Sequence, residues 1–244
     1  IIDKLTPQAS YEFLTEKLGF TSLVADDCNY APLALGELTH GVTVREMTQA
    51  YCAFLNEGTF TYGRTYSRVT DSKGNVILNN EPDTIQAFSK DTAANMVDML
   101  HYNVTNGIAS AASLKDMPSA GKTGSSTDWR NRYFAGFTPY YCAAVWTGYD
   151  QNQAMSFSGN PALDIWKSVM DGIDSALELP NKSFVSGTST KSTGIFGSHL
   201  DDVEPTPSPT PTPEATETPA HTTDPTPVVT ESPAAPEEPV EPAA

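Results

Sequence analysis

Helix-type and strand-type patterns alternate over residues 1 to about 185, and together they predict an α/β (α+β) domain. Amphipathic stretches with a 3.6-residue period open and close this region. β-Branched and aromatic runs lie between them, and the short connection Thr138-Pro139-Tyr140 makes two of those runs antiparallel neighbours. That length is enough chain for one sizeable core.

The first helix is expected from Pro7 to Leu18, with Thr6 as N-cap, Pro7 at the first helical position and Gly19 just past the end. Thr43 and Glu46 form a capping box for a second, whose Val44, Met47, Tyr51, Phe54 and Leu55 share a face and which Gly58 closes. Tyr66 to Val69 and Asn75 to Leu78, joined through Asp71 to Gly74, read as a β-hairpin. Ser89 caps a third helix carrying Ala93, Met96, Val97 and Leu100 at helical spacing. Strands are expected at Ser119 to Ser125, Tyr133 to Thr138 and Tyr140 to Tyr149. Ala162, Ile165, Trp166, Val169, Met170 and Ile173 then mark a final amphipathic helix. From Ser186 the composition turns to Ser, Thr and Gly, and from Pro205 to Pro, Thr, Glu and Ala. Residues 186–244 are therefore expected to be a disordered acidic tail with local polyproline II character.

The net charge is −16, of which −10 falls from Asp201 onward, leaving −6 on the rest. That balance argues against binding nucleic-acid phosphates and against electrostatic docking on an anionic membrane. Cys28, Cys52 and Cys142 lack C-x-x-C spacing and read as core or loop cysteines. The four histidines are scattered, so neither a disulfide framework nor a metal site is suggested. The sequence opens at Ile1 without a basic-then-apolar leader and is expected to be a piece of a longer protein.

Lys122-Thr123-Gly124 is the motif that carries chemistry. A bare tripeptide of this kind arises by chance in many proteins, so its weight comes from its flanks. Gly121 to Pro139 (GKTGSSTDWRNRYFAGFTP) resembles, without a gap, the strand-loop-strand of class A penicillin-binding proteins. There, G-K-T-G-[TS]-[TS]-x-D precedes an aromatic-F-x-G-[FY]-T-P strand. Ala144 to Asp150 (AVWTGYD) resembles the next strand of that family. Pro32 to Gly36, Gly41 to Gly58 and Pro161 to Lys167 resemble its flanking segments in the same order. The resemblance covers about residues 1 to 175. It departs mildly at Asn131, commonly acidic, at Tyr133, commonly Trp, and at Ser125 and Ser126, commonly a Thr pair.

The resemblance implies a β-lactamase/transpeptidase-like fold, an antiparallel sheet flanked by helices with its N-terminal part missing, so that residues 1–185 are the C-terminal portion of the transpeptidase domain. It implies a peptidoglycan D,D-transpeptidase, which acylates a serine with a D-Ala-D-Ala stem peptide and passes the acyl group to an amine. β-Lactams would trap that acyl-enzyme. Lys122 would be the catalytic member here. With the Thr123 and Ser125 hydroxyls it would meet the substrate carboxylate, each charge-assisted bond worth about 1.5–3 kcal/mol. Gly124 would clear space for a substrate strand, and the Ser125 N–H would form half of an oxyanion hole. No cofactor or metal is implied. The partners would be stem peptides and β-lactams, with no nucleic acid. Membrane attachment would come only from an upstream anchor, on the extracytoplasmic face, alongside an upstream glycosyltransferase domain in the family's usual order.

Ser119-Ala-Gly-Lys122 and Ser158-Gly-Asn160 imitate the family's other two motifs, Ser-x-x-Lys and Ser-x-Asn, but occur in the wrong order and context. The nucleophile is accordingly expected upstream of Ile1, and the segment alone is expected to be inactive. A D,D-carboxypeptidase or β-lactamase of the same fold and an inert peptidoglycan-binding module are the rival readings.

Overall fold

Each of the three long helices starts on a side chain that accepts a hydrogen bond from its first turn, which satisfies one of the N–H groups a helix leaves open. In the computed structural model, which describes residues 1–156 and 158–187, helices α1 (Ile2–Leu5), α2 (Pro7–Glu12) and α3 (Tyr30–Leu35) precede them. Thr43 caps α4 (Val44–Leu55), Ser89 caps α5 (Lys90–Asn106) and Asn160 caps α6 (Pro161–Leu177). Gly58 ends the α4 turn at φ +85, where a Cβ would stand 2.0 Å from the Phe88 carbonyl oxygen, so only glycine fits.

The strands are β1 (Thr59–Thr61), β2 (Arg68–Thr70), β3 (Val76–Asn79), β4 (Thr84–Gln86), β5 (Ala120–Ser125), β6 (Asn131–Phe137) and β7 (Cys142–Gly148). β5, β6 and β7 form an antiparallel sheet in that order, while β1–β4 and β2–β3 are separate two-stranded pairs. The β6–β7 connection is the expected tight turn, drawn closed by Thr138. Its Oγ1 accepts from the Tyr140 and Tyr141 N–H groups, so those tyrosines belong to the turn and the strand begins at Cys142.

The sheet is covered on both faces. On one, Phe137 and Ala120 pack with Val97 and Leu100 of α5 and with Phe54 of α4. On the other, the Phe134 ring meets Trp166 of α6 edge-on at 5.1 Å, with Met170 and Leu163 beside them. Trp166 is fully buried and donates its indole N–H to the Gly136 carbonyl at 3.2 Å. Truncating such a residue costs about 3–5 kcal/mol, which makes it a principal tie between α6 and the sheet.

Two departures from the sequence reading have local causes. The helix expected from Pro7 to Leu18 is α-helical only to Glu12 and continues in wider i→i+5 turns over Phe13–Lys17. Thr15 Oγ1 bonds back to the Tyr11 and Glu12 carbonyls, which competes with regular α hydrogen bonding. The hairpin is shifted toward β2 and β3, with a bulge between Val69 and Thr70. The Asp71 carboxylate gathers the Lys73 and Asn75 N–H groups at its turn.

Beyond α6 the chain returns to the α5 side. Phe184 packs against Phe137 and His101, and the Gly187 N–H donates to Asp98 Oδ2 at 2.9 Å. The rest of the expected tail lies outside the described residues. Among those described, no helix is long and apolar enough to cross a membrane.

Candidate active site

β5 is bonded to β6 on one side only among the described strands. Its other edge is closed over the first half by α5. His101 Nδ1–H donates to the Ser119 carbonyl at 2.7 Å and Asn103 Nδ2 donates to the Gly121 carbonyl at 2.8 Å. In an antiparallel strand the N–H and C=O of one residue point the same way and alternate residue by residue. Ser119 and Gly121 therefore face the edge away from β6, and so do Thr123 and Ser125. The cover ends at Gly121. Ala120 and Gly121 are buried, Thr123 and Gly124 are partly open, and Lys122 and Ser125 are exposed.

The side chains alternate the other way. Lys122 and Gly124 pair with Ala135 and Tyr133 and project on the α4/α5 face, while Thr123 and Ser125 pair with Phe134 and Arg132 and project on the α6 face. Lys122 Nζ donates to the Thr123 carbonyl at 2.9 Å, across the open edge. A Cβ on Gly124 would lie 3.1 Å from Tyr133 Cβ, so the glycine also serves close packing between the strands.

Tyr133 stands on the α4 face, where burial, and after it the Glu46 charge, push its phenol up to about 12. It is a neutral hydroxyl at physiological pH and no candidate base. Glu46 lies behind it. Its Oε1 accepts from Thr21 N, Thr21 Oγ1 and Ser22 N, and its Oε2 from Ser22 Oγ, Thr43 N and Thr43 Oγ1. Burial opposes ionisation, but these six donors outweigh it and hold the carboxyl down at about 2.

The β5–β6 turn is built on Ser126 and Asn131. Ser126 N–H donates to the Asn131 carbonyl at 3.0 Å and its Oγ accepts from the Asn131 N–H at 2.9 Å. Asn131 Oδ1 also accepts from the Trp146 indole at 2.9 Å, which gives this amide a bracing role at a position the resemblance makes commonly acidic. Thr127 Oγ1 ties the turn to Glu37 at 3.0 Å. At its tip, Asp128 and Trp129 both adopt φ +56, which lays the Trp129 ring over the Arg132 guanidinium, 4.5 Å from centroid to Cζ.

Both imitation motifs have structural occupations. Ser119 is buried and its hydroxyl donates to the Ala112 carbonyl at 2.9 Å, with no helix to present it. Asn160 caps α6 and donates its amide to the Tyr133 carbonyl at 3.0 Å. The predicted residues Lys122, Thr123, Gly124 and Ser125 thus form one continuous open edge. His101 and Asn103, which define where that edge opens, and Trp129 and Arg132, which lie beside it, had no signal in the sequence. Their proximity depends on packing across 18 residues and on the backbone of one turn.

β5 is thus an edge strand carrying Lys-Thr-Gly on an antiparallel sheet with helices on both faces, the arrangement that the resemblance of Gly121 to Pro139 implies. Residues 22–171 match the family model described as the penicillin binding protein transpeptidase domain, and the chain belongs to that family. It is 40% identical over 156 residues to penicillin-binding protein 1A of Clostridium acetobutylicum, covering 64% of this chain and 19% of that one. It is 32% identical over 172 residues to penicillin-binding protein 4 of Bacillus subtilis, covering 70% of this chain and 27% of that one. The chain spans about a fifth of the length of the first curated relatives it matches. Among solved structures, penicillin-binding protein 1A from Haemophilus influenzae superposes with a TM-score of 0.60 at 19% identity, over 77% of this chain and 33% of that one. The PonA1 protein from Mycobacterium tuberculosis, in complex with penicillin V, does so at 0.59 and 20%, over 74% and 52%. The fold is that of the transpeptidase domain.

Proposed function

We propose that the complete protein carrying this segment is a class A, bifunctional peptidoglycan transpeptidase of the extracytoplasmic membrane face, and that residues Lys122 to Ser125 form the substrate edge of its transpeptidase site. The observation that carries this reading is the change along β5, from a half covered by His101 and Asn103 to an open half that holds the motif.

Lys122 ammonium and the Thr123 and Ser125 hydroxyls anchor the terminal carboxylate of a D-Ala-D-Ala stem peptide. The outward N–H of Ser125 stabilises the oxyanion, a donor whose loss in acyl transfer costs about 10²–10³ in rate. The serine nucleophile attacks the penultimate D-Ala carbonyl, its proton passes through a base to the departing D-alanine amine, and an ester forms. An acceptor amine then displaces the serine to leave a new amide. That serine and its helix belong to sequence outside this segment, because the one Ser-x-x-Lys here has a buried, committed hydroxyl. A β-lactam would enter by the same edge and stop at the ester.

The test incubates the complete protein with a D-Ala-D-Ala stem peptide and an acceptor amine, and follows products by mass. The expected product is a cross-linked dimer with one D-alanine released. Release of D-alanine without dimer would make the protein a carboxypeptidase. The segment alone, tested in parallel with a labelled penicillin, is expected to form no adduct.

A further inference from the structure

Arg132, on β6, pairs directly with Ser125 of β5, so its side chain leaves the sheet on the face that Thr123 and Ser125 share. It is only 5% exposed, and its Nε and Nη2 have no hydrogen-bond partner among the described residues. Its neighbour Arg130 differs in both respects. Arg130 is more open, donates to the Asn152 carbonyl at 3.0 Å and lies 3.8 Å from Asp128. What lies against the Arg132 guanidinium is the Trp129 ring. A cation–π contact supplies neither of the acceptors that a planar fork of N–H groups requires. A guanidinium stays charged at any physiological pH, so burial without an acceptor is a standing cost unless a ligand completes it.

The unfilled requirement is specific. A fork of N–H donors fits a carboxylate in two parallel bonds. On the α6 face, Thr123 and Ser125 offer neutral hydroxyls only, while Lys122 projects from the opposite face and is engaged with the Thr123 carbonyl. A carboxylate held beside those hydroxyls at the open edge, where Lys122 Nζ lies, would find a second countercharge in Arg132. We infer that Arg132 is a specificity-determining residue of this site, taking the terminal carboxylate of the acyl donor together with Thr123 and Ser125. Trp129, itself 53% exposed, roofs the guanidinium and gives way as the carboxylate enters from the β5 edge. The inference rests on the transpeptidase reading above and deepens it.

The test compares acylation rate constants of the complete protein for benzylpenicillin and for its methyl ester, which lacks the carboxylate charge, by intact-mass time courses. Wild type is expected to prefer the free acid at least tenfold. Arg132→Met is expected to lower that preference at least fivefold by slowing the free acid alone. Its melting temperature should hold or rise, because an apolar side chain of similar length replaces a buried unpaired cation. The acid-to-ester ratio is taken within one sample and is insensitive to a loss of folded fraction. Should Arg132→Met fail to fold, Arg132→Lys, which keeps the charge and loses the fork, is read by the same ratio. An unchanged ratio in either folded variant overturns the role of Arg132. A wild-type protein acylated by neither compound overturns the transpeptidase reading and this inference with it.

Discussion

Glu46 shows how far a single residue outruns its sequence signature. The capping box with Thr43 was legible from the spacing, but four of the six donors on its carboxylate come from Thr21 and Ser22, 25 and 24 residues away. No local pattern encodes that reach. The carboxylate therefore pins the segment before α3 to the start of α4, behind Tyr133. Its pKa is lowered from 4.5 to about 2, so its contribution to stability is present above pH 4.5 and is lost as pH falls toward 2. Glu46→Gln replaces an acceptor-only group by one that brings two donors among donors, and is expected to cost about 1–3 kcal/mol at neutral pH. Thermal melts between pH 7 and 2.5 check this: the wild type should lose stability over the acid part of that range, and the variant should show a flatter curve. Arg132 is the opposite case. It lies inside the most recognisable stretch of the sequence, yet its burial and unpaired donors emerge only once the turn at Asp128 and Trp129 is in place.

Among the elements, the three long helices and the sheet strands were legible because caps, helical periodicity and aromatic-rich runs agree in each. β1 and β4 were not. Each is three residues long, too short to display alternation, and their pairing joins residues 25 or so apart in sequence. For β5 the motif identified the strand but not its half-covered edge, which depends on α5 side chains. Its glycines have a further function that the motif does not reveal. Gly121 and Gly136 are paired across β5 and β6, and the Phe134 ring lies over both. A Cβ at Gly121 would stand 2.5 Å from Phe134 Cζ and 2.8 Å from the Ala135 carbonyl. Gly121→Ala is thus expected to push Phe134 against Trp166 and destabilise the domain by about 1–3 kcal/mol. Denaturant unfolding of the segment would measure it, and a change within 0.5 kcal/mol would contradict this packing account.

At the scale of the molecule, the described residues form a layered domain whose proposed site lies along one open strand edge, in a chain that spans about a fifth of the length of its first curated relatives. The family and the edge that carries its motif could both be read from Gly121 to Asp150. The covered half of that edge, the roofed guanidinium and the occupied hydroxyl of Ser119 depend on packing between elements and on one turn's backbone, which no local pattern encodes. The central claim is that Lys122, on the open half of β5, anchors the acyl donor. Its side chain is exposed and takes no part in the core, so Lys122→Ala should leave the melting temperature of the complete protein unchanged. The decisive measurement is the acylation rate of that variant with a fluorescent penicillin. If Lys122 anchors the acyl donor, the rate falls at least tenfold, about 1.4 kcal/mol or more of lost transition-state stabilisation; labelling at the wild-type rate would remove Lys122 from that role.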